Sequence, residues 1–354
     1  MQEHNQTKTK PHILDQSTLS MQQILGSICD RPFQIKQILR WVYSRYTIDF
    51  TKMSDISKAL QATLIDTFDN TLPEVIDIQT SKDHTSKFLL KLSDANCIEM
   101  VYIPAEKKNT LCISTQVGCA RRCSFCATAK IGLKRNLTQA EILAQILIAQ
   151  NHFPEKKITN LVFMGMGEPL DNFDNVVSAL QIIQDKDGFY FSGRRITIST
   201  AGVVPKIYEL ADIFSSKTNI KIKLAISLNA AIDEKRDKIM PINLIYPLSE
   251  LKKAVQYFRK HTHFRITFEY IMMSNFNMQT EDIKALTKFC SDISCKINLI
   301  RWNEIPDYPY QSPTDDEVDT FIQQLHKIPN AITIRKSRGA DIAGACGQLA
   351  GKAI

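Results

Sequence analysis

The chain has 354 residues, 44% hydrophobic and 23% charged, with a formal net charge of +7. That is enough apolar material to bury a large core, as one large domain or as a barrel with an appendage. Nine cysteines, an odd count in a long chain, exclude a disulfide-stapled secreted domain, and no apolar run approaches the ~18 residues that span a bilayer. The positive excess fits a polyanionic partner without requiring one.

Residues 1–20 are polar, with no apolar signal-peptide core, and read as a flexible N-terminus on a cytoplasmic chain without membrane contact. Residues 21–72 read as a small helical accessory domain. Pro32 opens a run in which Phe33, Ile35, Ile38, Leu39, Val42 and Tyr43 recur at helical spacing, with Lys36, Arg40 and Arg45 on a basic side. With the global charge, this suggests an RNA-contacting domain. Residues 73–104 read as a β-rich adaptor, from the short runs VIDIQT, KFLLKL and EMVYIP.

From residue 105 to 336 strands and helices alternate. Strand candidates are NLVFMGMG, RRITIST, KIKLAISLN, RITFEYIMM, KINLIRW and AITIRKS. Thr138 with Glu141, and Thr314 with Glu317, form capping-box patterns before two of the helices. The alternation predicts an α/β fold with a parallel sheet and crossover helices; periodicity leaves a closed barrel, a partial barrel and an open doubly wound sheet all standing. In residues 337–354, Gly344, Gly347 and Gly351 crowd Cys346, which predicts a mobile tail that exposes this thiol.

Cys119, Cys123 and Cys126 are spaced to converge from one loop on one metal centre. A structural zinc or an electron-carrier cluster normally takes four protein ligands, and no fourth Cys or His lies nearby. Three ligands on a cubane leave one iron open to substrate; zinc with a distant fourth ligand is the other reading. The pattern C-x3-C-x2-C, with Phe125 before its last Cys, resembles the radical-SAM superfamily. The resemblance implies a partial or full (β/α) barrel, one [4Fe-4S] cluster on these three cysteines, and S-adenosylmethionine (SAM) chelated at the open iron and cleaved reductively to a 5′-deoxyadenosyl radical. It also implies that Phe125 packs beside the cluster, and that electrons come from a donor such as flavodoxin or ferredoxin.

Gly165-Met166-Gly167-Glu168-Pro169 follows the strand LVFMG, and its glycines predict a close approach of backbone to ligand. By resemblance Gly167 and Glu168 bind the SAM amino group. Ser199, Ser227 and Asn303 follow apolar runs at strand ends, where barrel folds place their sites. As strand-end residues each is also an ordinary cap or turn. By resemblance Ser199, Ser227, Leu228, Asn229 and Asn303 hold the SAM carboxylate, ribose and adenine; at Asn229 the family more often has His.

Cys112 and Cys346 each read, by composition, as buried core thiols. The strings TLCISTQVGCA, FMGMGEPLDN, RRITISTAGVVP, IMPIN and ACGQLAG, in that order, resemble the family of dual-specificity adenine-C2 methyltransferases of bacterial 23S rRNA and tRNA. The resemblance implies a ping-pong use of two SAM molecules. A first SAM methylates Cys346. A radical drawn from a second abstracts hydrogen from the S-methyl group, and the methylene radical adds to adenine C2. Glu99 accepts the C2 proton, and Cys112 attacks the Cys346 sulfur to free the product as a disulfide forms. Read as residues alone, Glu99 is an exposed strand carboxylate.

Arg121, Arg122, Lys130, Lys134 and Arg135 lie between Gln116 and Asn136 without an acidic residue among them. They read either as a solvated loop or as a cationic rim for RNA phosphates. The loop SNFNMQ (274–279) stands where the family has a Gly-Val-Asn-Asp type turn. Two other readings stand beside this one. The first is an enzyme methylating C8 of the same rRNA adenine, against which Pro169 and Val117 speak. The second is a non-enzymatic zinc or iron–sulfur RNA-binding protein, which would not need Cys112 and Cys346. The expected partners are 23S rRNA, tRNA and the electron donor, and the expected state is a monomer.

Overall fold

The computed structural model describes residues 10–215, 220–325 and 330–351. Every strand expected between residues 73 and 336 is present. β1 (Glu74–Thr80), β2 (Ser86–Lys91), β3 (Cys97–Ala105) and β4 (Lys108–Cys112) form an antiparallel meander. β5 (Gln116–Val117) and β6 (Arg135–Asn136) pair as a short ribbon that brackets the cysteine loop. The main sheet then runs parallel and in chain order from β4 to β7 (Asn160–Phe163), β8 (Ile196–Thr200), β9 (Lys223–Ser227), β10 (Ile266–Met272), β11 (Cys295–Arg301) and β12 (Ala331–Arg335).

This order decides among the three forms that periodicity leaves standing. A doubly wound sheet reverses its strand order, and this one does not. No pairing among the described residues closes β12 onto β4, yet Cys112 on β4 and Arg335 on β12 line one cleft. The parallel strands therefore curl toward each other as a partial barrel. β1–β3 continue the barrel's own sheet, because Val101–Ala105 of β3 pair with β4.

Helices cover the outside. α1 (Thr18–Ile28), α2 (Pro32–Leu39) and α3 (Lys58–Thr67) build the N-terminal domain. Pro32 sits in the first turn of α2, and Ile38, Leu39, Val42 and Tyr43 are buried as the spacing predicts, whereas Phe33 faces solvent. α4 (Ala127–Ile131) follows the cysteines. α5 (Gln139–His152), α6 (Phe173–Gln184), α7 (Val204–Ser215), α8 (Asp233–Ile239), α9 (Leu248–Thr262), α10 (Thr280–Cys290) and α11 (Asp315–Leu325) complete the crossovers. Both capping boxes form: Thr138 Oγ1 accepts from the Glu141 N–H at 3.2 Å, and Glu317 accepts from the Thr314 N–H at 2.8 Å.

The two segments expected to be loose are docked where the structure describes them. Residues 1–9 lie outside the described residues. Beyond them Ile13 and Leu14 are fully buried, the Leu14 carbonyl accepts from Gln139 Nε2 at 2.6 Å, and the Asp15 carboxylate accepts from the Ala140 N–H at 2.7 Å. An apolar pair inside a polar stretch and an acidic cap for α5 are enough to hold this strap. Residues 337–351 of the tail, taken up below, lie against the barrel mouth.

Candidate active site at the barrel mouth

Beyond β4 the chain crosses the barrel mouth as Ile113–Gln116. Gln145 of α5 clamps this crossing from below, accepting from the Ser114 N–H at 2.8 Å and donating to the Ser114 carbonyl at 2.9 Å. The cysteine loop follows. Gly118 begins it at φ +78°, where an added Cβ would lie 1.7 Å from the Gly132 carbonyl oxygen, so the two arms of the loop cross as only glycine permits. Cys119, Cys123 and Cys126 all line one cleft of about 910 Å3 that opens to solvent. Burial raises all three thiols, Cys119 to about 12, and for Cys119 and Cys123 the neighbouring thiols add to it. Three largely enclosed thiols held together, with only Arg236 pulling Cys123 down, suit a metal centre that would hold them as thiolates. Three cysteines lining one cleft, with a fourth coordination position open to that cleft, fit a cubane with one iron left for a ligand.

The same cleft collects Gly167, Glu168, Ser199, Ser227 and Asn229 from the ends of β7, β8 and β9. Gly167 has φ +101°, and an added Cβ would lie 2.6 Å from the Gln116 Cβ. The close approach seen here is to the crossing strap. Gln116 Oε1 then accepts from the Glu168 N–H at 2.8 Å and fixes the turn. The buried Glu168 carboxylate accepts from the N–H groups of Leu170 (3.0 Å) and Ala201 (2.7 Å). Burial pushes it up to about 7, against the pull of those two donors.

Leu228 and Asn303 do not line this cleft. Leu228 is fully buried, its N–H donating to the Glu269 carbonyl and its carbonyl accepting from Arg236 Nε. Asn229 has φ +56°, a conformation that Asn tolerates better than most residues. Its Oδ1 accepts from the Ile271 N–H at 3.0 Å, and its carbonyl accepts from Asn277 Nδ2 at 2.7 Å. The altered loop therefore keeps its Asn at 277, and Asn275, at φ +60°, takes the left-handed turn that a glycine favours. Asn303 instead donates to the Cys346 carbonyl at 3.0 Å.

That bond is one of several that dock the tail. The Gly347 carbonyl accepts from the Ala127 N–H (2.7 Å), and the Leu349 carbonyl accepts from Thr128 Oγ1 (2.7 Å). Glu99 Oε2 accepts from the N–H groups of Ala350 (2.7 Å) and Gly351 (2.9 Å). Glu99 is not the exposed strand carboxylate that its position in the sequence favours. It is 1% exposed, lines neither cleft, and pairs with Lys87 Nζ at 3.0 Å.

Docking places Cys346 on a wall shared by two clefts. A second cleft, of about 1120 Å3, is lined by Cys112, Asn303 and the start of the tail; Met164, Ile300, Arg335, Cys346 and Leu349 line both. Cys112 and Cys346 are free thiols. Burial first, and then the nearness of Cys346, push Cys112 up to about 12, while Arg335 pulls the other way. One sulfur thus faces the cysteine triplet on one side and a second thiol on the other.

Residues 113–288 match the radical SAM superfamily, and residues 12–69 match the ribosomal RNA large subunit methyltransferase N-terminal domain. The dual-specificity RNA methyltransferase RlmN of Geobacter sulfurreducens is 45% identical over 93% of this chain and 89% of that protein. The chain belongs to the RlmN family. The RlmN of Halorhodospira halophila is 44% identical, over 91% of this chain and 89% of its own. A crystal structure of a radical SAM methyltransferase from Sphaerobacter thermophilus superposes with a TM-score of 0.91 at 34% identity, over 97% of this chain and all of that one. Membership in the RlmN family sets aside the non-enzymatic reading.

Four of the five cations in the cysteine loop of this RlmN-family chain are engaged within the protein, Lys134 by donating to Asn96 Oδ1 at 3.1 Å. Arg121 grips Asp171 through two bonds (2.5 and 2.6 Å), Arg135 bridges Asp94 and Glu141, and Lys130 lies 4.1 Å above the Tyr308 ring. The loop is thereby a braced scaffold, with Arg121 and Arg135 matched by carboxylates and Lys130 and Lys134 held by neutral groups. Sequence reasoning missed four residues: Lys87, Arg236, Glu269 and Arg335. Arg236 is fully buried and donates to the carbonyls of Ala201 (2.7 Å), Ser227 (3.2 Å) and Leu228 (3.1 Å), tying the ends of β8 and β9 together. Glu269 lines the first cleft; its Oε1 accepts from Asn298 at 2.9 Å, and its Oε2 has no partner among the described residues. A carboxylate inside the apolar strand RITFEYIMM was the available signal for it.

Proposed function

We propose that this chain methylates C2 of a specific adenine in 23S rRNA and in tRNA, carrying the methyl group on Cys346. The observation that supports it is the place of Cys346 on the wall between the cleft of the cysteine triplet and the cleft of Cys112. Cys119, Cys123 and Cys126 would hold the cluster, and Gly167, Glu168, Ser199, Ser227 and Asn229 would hold SAM beside it. Together these groups supply a 5′-deoxyadenosyl radical when reduced.

Cys346 has two tasks. Its sulfur, having lost its proton, attacks the methyl group of a first SAM and S-adenosylhomocysteine leaves; the resulting S-methyl group later gives up a hydrogen atom to the 5′-deoxyadenosyl radical and bonds to adenine C2. Glu99 accepts the C2 proton. Its carboxylate is bonded to the backbone of Ala350 and Gly351, so this task requires that end of the tail to let go. Cys112 attacks the Cys346 sulfur from the second cleft, breaking the bond from sulfur to the product's carbon, which takes up the proton Cys112 gives up, and leaving a disulfide; the one electron left over from the radical returns to the redox centre that supplied it. Asn303 holds the Cys346 carbonyl while the tail is docked and is free for SAM when it is not. Residues 21–72 form the accessory domain for RNA. The protein works in the cytoplasm as a monomer, away from membranes, with electrons from flavodoxin or ferredoxin; among the described residues no helix is long and apolar enough to cross a membrane.

The test is mass spectrometry of RNA treated with anaerobically reconstituted wild-type and Cys112→Ala protein. The expected result is 2-methyladenosine from the wild type and a trapped RNA–protein adduct from the variant. 8-Methyladenosine would keep the thiol chemistry and overturn the position, and an intact cluster with neither product nor adduct would overturn the function.

A further inference from the structure

The second cleft lies on the open side of the partial barrel, with β3 and β4 along one side and β12 and the tail along the other. Its charged lining is all of one sign: Lys108, Arg335, Lys336 and Arg338, with no Asp or Glu among the lining residues. Lys108 and Lys336 are exposed and make no ion pair among the described residues; Arg338 has only Asp83, at 3.7 Å. Arg335 sits at the inner end, where its Nη1 meets Met164 Sδ at 3.5 Å, and the carboxylate that acts on it, Glu269, lines only the first cleft and does so through space, with no hydrogen bond between them among the described residues. The positive potential extends beyond the cleft: burial first, and then the charges of Lys108, Lys296 and Arg194, push Lys223 down. Four cations leading inward to two reactive thiols form a track for a polyanion.

We propose that this cleft is the path by which a single-stranded RNA segment delivers its extruded adenine to Cys346 and Cys112. Lys108, Lys336 and Arg338 hold the phosphates of the flanking nucleotides, and Arg335 stands where the base arrives. The proposal rests on the RNA-methyltransferase reading above and adds the route. Both thiols lie inside the cleft, out of reach of a base held in a duplex, so the adenine has to leave its stack first. The other polyanionic visitor, an acidic electron-donor protein, must approach the cluster, and none of Cys119, Cys123 and Cys126 lines this cleft. The cysteine loop is the poorer track, because Arg121 and Arg135 are already paired with carboxylates.

The experiment is anisotropy binding of a labelled hairpin RNA with an unpaired adenine to the reconstituted full chain, over about 50 to 300 mM salt. Wild type is compared with Lys336→Gln/Arg338→Gln and with a control pair of equal charge change, Arg122→Gln/Lys134→Gln. Losing two phosphate contacts should lower the salt slope by about 1.5 units and weaken binding roughly tenfold near physiological salt, with the control close to wild type. Lys336→Gln alone, at an exposed position without an ion pair, should give about half the slope change. Equal losses in both pairs, or a loss confined to the control pair, overturn the route while leaving the function standing. A wild-type protein that binds no RNA overturns the function as well.

Discussion

Lys87 and Glu99 are 4% and 1% exposed and lie 3.0 Å apart, with Glu99 also accepting two N–H groups from the tail. Lys87→Met would leave a buried carboxylate with neutral donors only, and Glu99→Gln would leave a buried ammonium. Removing one partner of such a pair costs about 3–5 kcal/mol, most of it the penalty of the stranded charge. The double variant strands no charge, so it should be hardly less stable than either single one, with a coupling of about 3 kcal/mol. Denaturant unfolding of the four proteins measures this cycle. Glu99→Gln should also weaken the hold on Ala350 and Gly351 by about 1–2 kcal/mol, seen as roughly 5- to 30-fold faster amide exchange in the last residues of the tail. Single variants that simply add, with tail exchange unchanged, would refute the view that this pair latches the tail.

Two further outcomes follow from the SAM side of the site. Below the Glu168 value of about 7 its carboxyl is neutral and cannot pair with the SAM ammonium, so the SAM dissociation constant should be roughly eightfold higher near pH 6 than near pH 7.5. Glu168→Gln should flatten that profile at the weak-binding level, and a flat wild-type profile measured by equilibrium dialysis would refute the assignment. Because the folded value is raised, this group's contribution to stability runs the opposite way: it is present below about 4.5 and lost as pH rises through about 7, so the SAM-free protein softens toward neutrality. Gly167→Ala puts a Cβ 2.6 Å from the Gln116 side chain at φ +101°, which should cost about 1–3 kcal/mol and weaken SAM binding more than tenfold, read by melting and dialysis together.

What was legible in the chain was local. The three cysteines proposed for the cluster lie within eight residues on one loop, so spacing alone brings them together. The capping boxes at Thr138 and Thr314 act within one helical turn, and both formed as read. The departures at Asn229 and in SNFNMQ were visible as single positions, but only the fold shows that Asn277 is hydrogen-bonded to Asn229 and that the two belong to one device.

By itself the sequence determined the α/β class, the family and the residues able to do the chemistry, because those follow from short-range pattern and residue type. The tertiary structure alone decided that the sheet stays open, that the tail docks with Cys346 between two clefts, that Glu99 is held behind the tail by Lys87, and that Arg121 and Arg135 of the cysteine loop are paired with carboxylates while, among the described residues, Lys108 and Lys336 are not. Ion pairing, burial and cleft lining depend on which distant residues meet, and no local spacing records that.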